Sequence, residues 1–144
     1  MSDVVIVTGG FDPIHSGHIA YIQAARQLGD KLVVGLNSDD WLTRKKGKPF
    51  MSWDERAAVI GELKSVDNVI AFDDTDNTAI DAIRLVMKYF PDDHIIFANG
   101  GDRGKDNIPE MQFESDRVSF TFGVGGDDKK NSSSWILKNW NNNE

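Results

Sequence analysis

The stretch Thr8-Gly-Gly-Phe-Asp-Pro-Ile-His-Ser-Gly-His18 limits the possible folds of this chain more than any other. It follows the apolar run Val4–Val7 and precedes Ile19, Ile22, Ala25 and Leu28 at helical spacing, which predicts a strand, a turn and a helix. In an open parallel sheet such a turn lies at the carboxyl end of a strand, where ligands bind. Gly9 and Gly10 allow backbone conformations closed to other residues and let the chain approach a ligand closely. Ser16 is expected to cap the helix. That places Gly17 and His18 in its first turn, where unpaired N–H groups and the positive end of the dipole attract an anion. His15 and His18 bracket the helix start and add donors, so the stretch reads as a phosphate cradle. A structural metal pair would require further Cys, His or carboxylate ligands. The chain has no Cys, and His94 is the one remaining histidine.

At 144 residues the chain suits a single domain, assigned to residues 1–138 with a frayed, Asn-rich tail over 139–144. Its net charge of −7 argues against nucleic acid as partner, because phosphate backbones are held by clustered Lys and Arg. A small anionic substrate remains compatible, since a few local cations and helix ends set the potential of one cleft. No secretory signal pattern and no membrane-length apolar run is evident, so the expectation is a cytoplasmic protein without a membrane partner.

Lys31–Leu36 reads as a buried second strand after the stop signal Gly29-Asp30. Ser38 can cap a short helix, and Arg44-Lys-Lys-Gly-Lys-Pro49 is expected to be a basic loop on the ligand side of the sheet. Ser52-Trp-Asp-Glu55 has capping-box form, predicting a helix to about Ser65. Arg56 then falls in the first turn, where a cation opposes the dipole; it either pairs with Asp54 or Glu55 or has a function. Asn68–Phe72 is the third strand. Asp73-Asp-Thr-Asp-Asn77 lacks the glycine and glutamate of a calcium loop and is read as a turn. Ile80, Ile83, Met87 and Phe90 mark the inner face of the next helix, ended with the help of Pro91. His94–Ala98 and Val118–Phe122 are the fourth and fifth strands, and Asn131–Ser134 opens a closing helix. Gly101 and Asp102 come off the fourth strand, again on the ligand side. The alternation predicts an α/β fold, a Rossmann-like, doubly wound, parallel five-stranded sheet.

Gly10-Phe-Asp-Pro-Ile-His15-Ser-Gly-His18 resembles the Gly-x-Phe-Asp-x-x-His-x-Gly-His signature of the cytidylyltransferase-like nucleotidyltransferases. Asn37-Ser-Asp39, Lys46-Gly47, Pro49, Glu55-Arg56, Val66-Asp67 and Gly100-Gly-Asp102 are similar in order and spacing to the adenylyltransferase half of the bifunctional enzymes that make ADP-heptose. The resemblance implies transfer of a nucleoside monophosphate from a nucleoside triphosphate to a small phosphorylated sugar or polyol, with release of pyrophosphate. It implies His15, His18 and Lys46 as catalytic residues. It assigns the nucleotide to Gly9, Gly10, Phe11, His15, His18, Lys46, Arg56, Gly101, Asp102, Ser132, Ser133 and Ser134, and the acceptor to Asp12 and Asp39. Magnesium carried mainly by the triphosphate and a homodimeric assembly are further implications. The late motif departs from the pattern. Trp135 stands where Lys or Arg is common, and Lys129 and Lys130 stand near the place of a missing arginine. Because ammonium cannot fork onto phosphate as guanidinium does, the exchange bears on triphosphate affinity and base choice.

The specific expectation is a D-glycero-β-D-manno-heptose 1-phosphate adenylyltransferase. The alternatives are a glycerol-3-phosphate or other polyol-phosphate cytidylyltransferase, and a nucleotide-binding module without turnover.

Overall fold

The computed structural model describes residues 2–100, 109–113, 115–125 and 133–142. Five strands, β1 (Asp3–Gly9), β2 (Lys31–Leu36), β3 (Asn68–Ala71), β4 (His94–Gly100) and β5 (Val118–Val124), form one sheet in the order β3-β2-β1-β4-β5. Every pairing is parallel, with Val5 opposite Leu32 on one side and Ile96 on the other. The chain winds outward from β1 to β3 and then crosses over to β4. The gap between the carboxyl ends of β1 and β4 is therefore the switch point where doubly wound sheets bind ligands.

Both faces of the sheet are covered, as a fully parallel sheet requires. Helix α1 (Ser16–Arg26) packs Ile22 and Ala25 onto Val5, Val7, Leu32 and Val34, and α3 (Trp53–Gly61) adds Ile60 to the same face. Helix α4 (Ile80–Tyr89) covers the other face with Ala82, Ile83 and Val86 against Val4, Ile6, Val33 and Phe97. The inner stripe of α4 is thus centred on Ala82, Ile83 and Val86, with Met87 and Phe90 at its margin. The small Ala82 allows the close approach that a pattern of large residues does not reveal.

Several boundaries differ from the sequence expectation. Arg44, Lys45 and Lys46 are not loop residues; they form the last turn of α2 (Asp39–Lys46), where cations complement the helix dipole. Gly47 closes that helix at a φ of 95°, a conformation that strains other residues. Helix α3 ends at Gly61, four residues short of Ser65, and the chain continues through tight turns that bond Leu63 to Ile60 and Val66 to Leu63. The final helix α5 (Ser133–Asn142) continues past Asn139, where the sequence suggested a frayed tail. No helix among the described residues is long and apolar enough to cross a membrane.

Candidate active site

The turn after β1 is built differently from its sequence reading. His15, not Ser16, is the N-cap of α1: its Nδ1 accepts from the Gly17 amide at 3.1 Å, which frees Ser16 to enter the helix. His18 completes the box, its Nδ1 accepting from the His15 amide at 3.3 Å. The two rings stack with centroids 3.8 Å apart, and Phe11 meets His18 edge-on at 4.9 Å. In each neutral ring an accepting Nδ1 puts the proton on Nε2, so both imidazoles become N–H donors through that atom. Burial, and secondarily the neighbouring His15, push the His18 pKa down to about 4, so His18 is neutral at physiological pH.

The glycines serve packing. Phe11, at a φ of 50°, is the residue in the left-handed region, a costly conformation of the kind concentrated at functional sites. A Cβ on Gly10 would stand 2.8 Å from Leu42 and 3.5 Å from the Trp41 ring, so the glycine lets α2 close onto the turn. On Gly9 it would press on the Phe11 ring at 3.2 Å.

Asp12 ties this turn to the segment before α3. Its buried carboxylate accepts from the amides of Phe50 and Met51 at 2.6 and 2.8 Å and pairs with Lys46 Nζ at 3.0 Å. The same ammonium donates to the Asp12 carbonyl at 2.6 Å. Lys46, which the resemblance assigned to the triphosphate, thus lies against the turn after β1, where Asp12 holds backbone and cation together.

Arg56 is fully buried. Its Nε donates to the Met51 carbonyl, Nη1 to the carbonyls of Gly10 and Asn37, and Nη2 to Asp39 at 2.7 Å. Four of five guanidinium donors are thus engaged by the chain itself. Neither Asp54 nor Glu55 is the partner, and in this conformation the expected phosphate contact gives way to a clamp joining the ends of β1 and β2 to the start of α3. The expected acceptor contact of Asp39 is likewise taken up by Arg56, although its side chain is 43% exposed.

Asp74 is a site element that the sequence did not single out. Its carboxylate accepts from Asn37 Nδ2, from the Ser38 amide and from Ser38 Oγ, fixing the end of β2 against the turn after β3. A run of four acidic or amide residues gave no means of choosing this one. Gly101, Asp102 and Ser132 lie outside the described residues, as do the side chains of Ser133 and Ser134. No cluster of three or more His, Asp or Glu suited to a metal occurs among the described residues, and the buried Asp12 oxygens are already taken.

A family model described as cytidylyltransferase-like matches residues 6–135. The bifunctional protein HldE of Syntrophotalea carbinolica is 45% identical over 102 residues, 69% of this chain and 19% of that protein. Its counterpart in Methylobacillus flagellatus is 40% identical over 107 residues, 73% and 20% of the two chains. This chain therefore spans about a fifth of the length of these curated relatives. Among solved structures, a lipopolysaccharide core biosynthesis protein from Thermoplasma volcanium superposes with a TM-score of 0.63 at 28% identity, covering 85% of this chain and 96% of that one.

Proposed function

Because this chain belongs to the cytidylyltransferase-like family of nucleotidyltransferases, we propose that it transfers a nucleoside monophosphate to the phosphate of a small sugar, specifically adenylyl from ATP to D-glycero-β-D-manno-heptose 1-phosphate. The observation that carries this is the capped imidazole pair: two rings whose Nδ1 atoms finish α1, leaving Nε2 as the donor nitrogen at an anion-favouring helix start.

An acceptor phosphate oxygen attacks the α-phosphorus, a new P–O bond forms, and the bond to the β-phosphate oxygen breaks to release pyrophosphate. A phosphate monoester loses its second proton near pH of about 6, so the nucleophile is ionised at neutral pH and no general base is needed. Catalysis then rests on positioning and on donors matched to charge developing on the transferred group and on pyrophosphate. His15 and His18 supply N–H donors there, His18 as a neutral ring, and Lys46 supplies the positive charge. Lys46, with 24% of its side chain exposed, exchanges its Asp12 ion pair for substrate phosphate in this reading. The family resemblance assigns Ser132, Ser133 and Ser134 to the leaving-group end. Magnesium, borne by the triphosphate, supplies charge neutralisation at the phosphoryl oxygens.

Pyrophosphate release is measured with ATP, CTP, GTP and UTP against heptose 1-phosphate and glycerol 3-phosphate. Release with ATP and the heptose phosphate is expected. Release confined to CTP and glycerol 3-phosphate would replace the substrate assignment, and nucleotide binding without release from any pair would refute transfer.

A further inference from the structure

A surface cleft of about 320 Å³ opens between α2 and the turn after β3, lined by Trp41, Arg44, Lys45 and Asn77. It adjoins the cradle. The Trp41 ring packs against Gly10, and Lys46 of the same helix reaches Asp12. The cleft sits at the low end of small-ligand sites, roughly 300–1,000 Å³, a size for one sugar ring rather than a nucleotide.

Its chemistry is specific. Lys45 Nζ lies over the Trp41 ring, 4.7 Å from its centroid, so a cation rests on the aromatic face. Arg44 is oriented by Asn77 Oδ1, at 3.3 Å from Nε and 3.1 Å from Nη2, and by the Asp74 carbonyl at 2.8 Å. Its Asp74 carboxylate contact is 4.0 Å, and 42% of the side chain stays exposed. An aromatic plane with two flanking cations fits a ligand having an apolar ring face and an anionic group.

We propose that Trp41, Arg44 and Lys45 form the acceptor subsite and select a pyranose phosphate over an open-chain polyol phosphate. The C–H face of the sugar takes the place of the Lys45 ammonium on the Trp41 ring, and the displaced Lys45 holds the anionic side together with Arg44, fixing the acceptor beside the cradle. An open-chain polyol has no flat face to lay on the indole, so Trp41 discriminates by shape while the cations do not. This rests on the reading of the chain as a sugar-phosphate nucleotidyltransferase.

The test measures heptose 1-phosphate and glycerol 3-phosphate affinity by calorimetry, and KM in the pyrophosphate assay, for the wild type, Trp41→Leu, Trp41→Phe, Arg44→Ala and Lys45→Ala. Loss of one charge-assisted contact corresponds to about tenfold in affinity. Arg44→Ala and Lys45→Ala are expected to weaken heptose 1-phosphate by about that factor. Trp41→Leu is expected to weaken it similarly while leaving glycerol 3-phosphate within about twofold, with Trp41→Phe restoring most of the loss. Heptose 1-phosphate affinity unchanged in all variants, or ATP affinity falling in parallel, overturns the subsite while leaving transfer intact. Weakened sugar binding in a chain that releases no pyrophosphate from any nucleotide supports the subsite and refutes transfer instead.

Discussion

Arg56 and Arg44 belong to consecutive helices and are used in opposite ways. Arg56 is fully buried, with four donors on chain atoms, whereas Arg44 keeps 42% of its side chain exposed and touches the turn after β3. The difference teaches that cations around a phosphate site divide into those that build it and those that face a ligand. Burying a guanidinium is tolerable when carbonyls and a carboxylate saturate it, and the fork geometry suits that task.

The sharpest way to break this comparison is Arg56→Met. Three backbone carbonyls and Asp39 would lose their donor, and a loss of about 3–5 kcal/mol is expected in denaturant unfolding. Arg56→Lys should fail to restore it, because a point ammonium cannot serve four acceptors. Wild-type stability in either variant would return Arg56 to the ligand-facing class. Next in size is His18→Ala, expected to lower turnover by roughly 10²–10³, the effect of losing one transition-state donor. Near-normal turnover would remove His18 from the chemistry. For the Asp12 anchor, Asp12→Asn should cost about 1–3 kcal/mol and loosen the Phe50–Met51 segment, as read by hydrogen exchange of those two amides.

The response to acid tests the same burial from the protonation side. The folded protein keeps His18 neutral down to about pH 4, while an unfolded chain takes up its proton near 6.5. The unfolded state therefore binds more protons in that window, so His18 makes stability rise with pH from about 4 to 6.5 and fall as pH descends through it. An NMR titration of the ring should place the free protein's midpoint near the lower limit, and His18→Gln should flatten the stability profile between the two values. A midpoint at 6.5 would contradict the buried geometry.

Much of this was legible in the sequence because it follows from local rules. Apolar runs punctuated by Gly, Asp and Pro located all five strands, and Ser38 and Ser52 cap their helices as their side chains predict. Most of what escaped depends on contacts distant in the chain. The cap of α1 escaped for a local reason instead: the His15 imidazole accepts from the Gly17 amide two residues on, a use of histidine that residue preferences do not encode. The burial of Arg56 is settled by Gly10, Asn37 and Met51 converging on it, and Asp74 gains its role from Asn37 and Ser38, 37 and 36 residues away.

Gly47 has no atom within 4 Å of the place a Cβ would occupy, so a larger residue there would meet no obstacle and only the torsion itself would resist. Replacement of Gly47 would therefore act on the last turn of α2 through backbone strain alone.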